Sequence, residues 1–197
     1  MSLVEEAVRS VTGAWRIARL DPQAMSYFNL TIDGFWRSFV APAVLAPFYV
    51  GLSMVAPPSA IAAYMASDPT GFVLVQLLLF AITVATLPLV MIPLSMVLRL
   101  TAGYVPFVIA TNWSMIVVAV VMIPVALIVK TQLLGPDFSN LMFVMALISV
   151  LYYSYLIARA SLGCNVSTAI GIVVLDFLLG RLIDRGAYDL IYAASVG

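Results

Sequence analysis

Histidine is absent from this chain, and cysteine occurs once, at Cys164. The first absence removes the commonest general base and the commonest metal ligand together. The second excludes an internal disulfide. Charge is also scarce: 9% of residues are charged, against about 25% in a soluble domain. The nine basic and nine acidic residues cancel. No basic block marks a nucleic-acid surface and no acidic tail marks a disordered arm. There is no nucleotide or metal motif, no paired carboxylate, and no Ser or Cys beside a base. No catalytic, cofactor-binding or metal-ligating residue is therefore assigned, and the expectation is a protein that is not an enzyme.

What is present is apolar sequence, at 64% of the chain. A soluble fold of this composition could not cover itself with polar groups, so lipid must be the solvent for much of it. The expected fold is all-α: a polytopic transmembrane bundle of five helical spans, preceded by amphipathic surface helices. Three regions follow. Residues 1–33 form cytoplasmic or interfacial helices, 34–180 the transmembrane domain, and 181–197 a short exoplasmic tail.

Met1 to Leu20 has no apolar core of the kind a cleavable signal requires, and Ser2 to Leu20 reads as an amphipathic helix. Leu3, Val4, Ala7, Val8, Val11, Ala14, Trp15 and Ala18 recur at spacings of three and four, which predicts one apolar helix face. Glu5, Glu6, Arg9, Thr12, Arg16 and Arg19 occupy the rest. Such a helix either packs on the protein's own cytoplasmic side or lies in the headgroup layer with its arginines toward phosphate. Asp21-Pro22 reads as the start of a second surface helix to about Leu30. Asp33 is a candidate cap for the first span.

The first span is expected over Phe35 to Ala56, with Arg37 reaching back to the headgroups. Pro57-Pro58 ends it, Ser59 to Ser67 suggests a short interfacial helix, and Asp68-Pro69 starts the next. The second span lies within Gly71 to Leu98, kinked at Pro88 and Pro93. The third covers Tyr104 to Val129, and the fourth Asn140 to Ala158 after a Gly135-Pro136-Asp137 turn. The fifth begins near Val166, with Asn165 as its cap, and reaches about Leu179. With the N-terminus in the cytoplasm, Arg9, Arg16, Arg19, Arg37, Arg99 and Arg159 fall inside and Lys130, Arg181 and Arg185 outside. That split follows the positive-inside rule and puts the C-terminus outside.

Polar residues within the spans carry the rest of the reading. Asp176 comes first, because a carboxylate at the bilayer centre costs ~2.5–3.5 kcal/mol on insertion scales. It sits about 15 Å along the fifth span, level with Asn112 in the third. A hydrogen bond between them is expected. Gln76, Thr83 and Thr86 are the polar groups of the second span, the hydroxyls bonding back to their own helix. Tyr152, Tyr153 and Tyr155 read as an aromatic belt near Arg159. Small residues four apart (Ala81 and Ala85, Ala110 and Ser114, Ser154 and Ala158, Ser167 and Gly171) suggest close helix packing. Cys164 lies in a surface turn, as a plain small residue or a lipidation site.

This layout resembles the Ypt-interacting-protein (Yip) family and its bacterial relatives over Gly34 to Leu179. Asp33-Gly34-Phe35-Trp36-Arg37-Ser38-Phe39 before the first span, and Arg159 with Leu162-Gly163 before the fifth, add to it. The N-terminal region is shorter than the GTPase-contacting domain of the eukaryotic members, so GTPase binding is not implied. The resemblance implies a non-enzymatic membrane adaptor. The leading expectation is thus an inner-membrane adaptor, scaffold or accessory subunit, its partners being the lipid bilayer and other membrane subunits or further copies of itself. Trp15, Arg16 and Arg19 would make the membrane-surface or partner contacts. The alternative is a small proton- or solute-linked transporter or channel using Asp176, Asn112 and Gln76.

Overall fold

The computed structural model describes the backbone of residues 2–196, and side chains throughout that range except Ala60 and residues 190–196. The elements are α1 (Leu3–Ala18), a 3-10 turn (Ala24–Tyr27), α2 (Ile32–Ser38), α3 (Val40–Met54), α4 (Ser59–Ser67), α5 (Pro69–Val97), α6 (Thr101–Thr131), α7 (Pro136–Leu162) and α8 (Val166–Val196). No strand occurs among the described residues. α2 and α3 run on as one crossing, Ile32–Met54. With α5, α6, α7 and α8 as far as Asp189, this makes five helices long and apolar enough to cross a membrane. The chain is an all-helical integral membrane protein. Hydrocarbon offers no partner to a free peptide group, so each crossing must pair its own backbone within the helix.

The helix starts are written in local chemistry. Ser2 and Glu5 form a reciprocal capping box on α1. Asp68 accepts the Gly71 N–H at 2.9 Å, with Pro69 beginning α5. Asn165 accepts the Thr168 N–H at 2.8 Å at the start of α8. The first crossing is capped by Thr31, which accepts from Gly34, and not by Asp33. Asp33 falls inside the first turn instead, where its charge still favours the positive helix end.

Two further expectations change. The predicted helix over Pro22 to Leu30 shrinks to a single 3-10 turn. Asp21 does not start a long helix, because its carboxylate accepts both the Gln23 N–H (2.9 Å) and Arg16 (2.7 Å), which closes a tight loop. The helix of the fifth span runs well past Leu179: α8 continues to Val196, so residues 181–196 of the expected short tail are helical. Leu182, Ile183 and Ala187 keep apolar positions at helical spacing past Asp176, and neither Gly180 nor Gly186 interrupts them.

α6 is the centre of the bundle, packed against α1, α2, α3, α5 and α7, while α8 packs on α4, α5 and α7. The core lies in the half of the bundle where α5 turns into α6. Phe107, Val108, Ile109, Ala110 and Trp113 of α6 are surrounded there by Ala14, Met91, Ile157, Ala158 and Ile172. Ala110, Ser114 and Ala158 are fully buried, in keeping with close helix packing, whereas Ser167 and Gly171 face outward. Thr83 and Thr86 bond to the Leu79 and Ile82 carbonyls of their own helix, as expected.

Gly103 marks a close approach between α6 and the end of α7. A Cβ placed there would stand 2.8 Å from the Leu162 Cα. Gly103→Ala should therefore push α6 from the end of α7 and cost ~1–3 kcal/mol of stability. Gly171→Ala meets open space and should be neutral or slightly stabilising through helix propensity. Thermal unfolding of both variants in one detergent distinguishes them; equal midpoints would refute the close approach.

Candidate functional site

The first polar centre joins α1 to the first crossing. Glu6 is 1% exposed, and its carboxylate accepts from Arg37 Nη1 at 3.0 Å and from Asn29 Nδ2 at 3.2 Å. The expected roles of both charges are thus corrected. Glu6 faces inward, and Arg37 turns to it rather than to the headgroups. The reason is the face that α1 buries. Glu6, Ser10, Gly13, Ala14 and Ile17 pack inward, and at Gly13 the Tyr27 Cβ and Phe28 ring come so close that a methyl there would stand 2.8 and 2.9 Å from them. An acid enclosed in this way needs a cation.

The apolar stripe of α1 is consequently divided: Ala14 is buried and Ala7 and Val11 pack on the core, while the rest points away from the protein. Val4, Val8 and Trp15 are 72%, 63% and 55% exposed. Periodicity identified the stripe but not the partner of each face. Of the three predicted contact residues, Trp15 and Arg19 are exposed at the surface. Arg16 is not available in the same way: it pairs with Asp21 at 2.7 Å and lies over the Tyr27 ring at 4.5 Å. The Asp21 carboxyl is held below its ordinary range, chiefly by the Gln23 N–H and then by Arg16.

A second tie sits deeper. The Tyr153 hydroxyl donates to the Ala14 carbonyl at 2.7 Å and lies 2.9 Å from Ser114 Oγ. Tyr153 is therefore a buried bracket among α1, α6 and α7, not part of an outward belt. Only Tyr152 is largely exposed, stacked on Tyr155. Cys164 is buried, with Sγ 3.7 Å from the Ala158 carbonyl, and burial pushes its thiol pKa up. That position does not present it for lipidation.

The third feature is a cavity of about 340 Å³ between α3, α5, α6, α7 and α8. Its walls are largely apolar, with Asn112 and Asp176 both among the lining residues. The shared depth expected of this pair is present, but the hydrogen bond is not. Asn112 donates its amide to Ser38 Oγ at 2.9 Å instead. Ser38 lies where α2 passes into α3, and α2 packs directly on α6, so the hydroxyl reaches Asn112 first. Asp176 makes no side-chain hydrogen bond among the described residues, and Thr111 Oγ1 on the same wall has no partner. A gap of about 30 Å³ continues from this cavity between Thr111, Ile172 and Asp176.

Gln76 is separate from this pair. It is buried beside a second cavity of about 260 Å³ at the other end of the bundle, with Lys130, Asp184 and Tyr188. Lys130 Nζ donates there to the Val55 carbonyl at 3.1 Å. Tyr49 and Leu52 line both cavities. Sequence reasoning missed Ser38, Thr111, Asp184 and the inward role of Glu6, because each depends on which helices become neighbours. Among the described residues no three His, Cys, Asp or Glu side chains gather as a metal site. Comparison with family models, curated proteins and solved structures finds no match to this chain.

The Glu6 contact can be tested by a double-mutant cycle. Glu6→Ala removes the acceptor from Arg37 and Asn29 and should cost ~1–3 kcal/mol. Arg37→Ala strands an enclosed carboxylate and should cost at least as much. The double variant should cost less than the sum, by at least ~0.5 kcal/mol. Strictly additive losses in thermal unfolding would show that the two side chains do not interact.

Proposed function

We propose that this chain is a non-enzymatic adaptor, scaffold or accessory subunit of a larger complex in a bacterial inner membrane, with its N-terminus in the cytoplasm. One observation carries the reading. α1 is held to the bundle through its small and polar face, which leaves Val4, Val8 and Trp15 directed outward beside exposed Arg19. A helix so placed lies in the interfacial layer, with its apolar stripe toward acyl chains. Trp15 and Arg19 then stand at the membrane surface as contact groups for a neighbouring subunit. The excess of arginine at the α1 end supports the cytoplasmic orientation. The Yip-like layout supports the same class of role.

A second reading is favoured by the cavity. Asp176, without a hydrogen-bond partner on an apolar wall inside the spans, is what a small proton- or solute-linked carrier requires.

The adaptor reading predicts that the native protein, extracted in mild detergent, copurifies with other membrane proteins in fixed ratio. Trp15→Ala with Arg19→Ala should reduce that recovery at least fivefold while leaving the unfolding midpoint within experimental scatter. Isolation as a clean monomer, or recovery unchanged by the two substitutions, would count against it.

A further inference from the structure

The groups around the central cavity differ in what they still have to offer. Thr83 bonds to Leu79, and Ser114 is engaged with Tyr153. Three groups that line the cavity from α6 and α8 are not committed in this way. The Asp176 carboxylate and Thr111 hydroxyl are without partners among the described residues, and Asn112 donates to Ser38 but accepts from nothing. Around them the surface is apolar, and Tyr49 and Phe80 add two ring faces with centroids 5.1 Å apart. The volume, about 340 Å³, falls within the range of small-ligand sites.

A carboxylate in hydrocarbon needs a counter-charge. No described lysine or arginine lines this cavity; Lys130 lines the other one, with Asp184. A cationic occupant would supply that counter-charge to an ionised Asp176. An ammonium group supplies three donors for three acceptors, and the aromatic and aliphatic walls suit an alkyl chain.

We propose that the cavity bounded by Asp176, Asn112 and Thr111 is a binding site for small lipophilic primary amines. The ammonium is held by these three side chains, and the chain lies among Phe48, Phe80 and Val118. At about 30 Å³ per water- or methylene-sized group, an eight-carbon amine fills most of the space. The inference deepens the carrier reading by naming its ligand class, but binding does not require that transport occur.

The test is saturable binding of radiolabelled n-octylamine to the full-length protein in detergent, with unlabelled n-octanol as a neutral competitor. Wild type should bind the amine at least tenfold more tightly than the alcohol. Asp176→Asn should remove that preference, and Thr111→Val should weaken amine binding several-fold. Ser154→Phe, which fills the cavity, should abolish binding of both compounds. Absence of saturable amine binding in wild type, or equal binding by wild type, Asp176→Asn and Thr111→Val, would overturn the proposal. Proton flux in liposomes separates the two ideas. Binding without Asp176-dependent flux supports the site and removes the carrier, whereas such flux without amine binding removes the site alone.

Discussion

An enclosed carboxylate governs how the N-terminal segment meets the membrane domain. Glu6 has nowhere to place its charge except against Arg37 and Asn29, and these three groups join α1, the loop after it and the first crossing. Ala14, on the same face, meets Tyr153. With that face fixed inward, Val4, Val8 and Trp15 can only point outward. In water such a stripe would be a liability; beside a bilayer it is an anchor. One ion pair therefore connects the packing of the bundle to the side chains that α1 turns outward.

Within the spans the same principle applies to several polar groups. Hydroxyls on α5 return to their own carbonyls, Asn112 finds Ser38, and Lys130 finds the exposed end of α3 at Val55. Each contact removes a desolvation cost that hydrocarbon would otherwise impose. Two of the groups left without partners among the described residues, Asp176 and Thr111, share one cavity. Trp113 Nε1 and Ser139 Oγ are also buried without partners, so it is the shared cavity, not the lack of a partner alone, that gives Asp176 and Thr111 a reason to be read as a site.

The crossings were legible in the sequence because their cause is local. A run of apolar residues long enough for the bilayer, bounded by Pro57-Pro58, Asp68-Pro69 or Asn165, is visible without knowing what it packs against. The depth of Asp176 relative to Asn112 followed from helical rise alone. Partner choice was not legible. Whether Asn112 bonds Asp176 or Ser38 depends on α2 lying against α6, which no periodicity reports. α1 shows the same limit. Its stripe was read from periodicity, yet the buried face takes Ala14 from that stripe together with Gly13, which allows close approach, and Glu6, which makes an ion pair. The extent of α8 was underread because Asp176 was weighed as an interruption, whereas a helix carries one carboxylate without breaking when that side chain borders a cavity.

The outward stripe of α1 is open to direct measurement. Spin labels placed singly at Val4→Cys, Val8→Cys and Trp15→Cys, with Cys164→Ala, can be compared in lipid nanodiscs for relaxation by oxygen and by an aqueous nickel chelate. Oxygen, which concentrates in the acyl region, is expected to dominate at all three sites, while a label at Glu5→Cys favours the chelate. Chelate dominance at Val4, Val8 and Trp15 would contradict an α1 whose apolar face is laid against lipid.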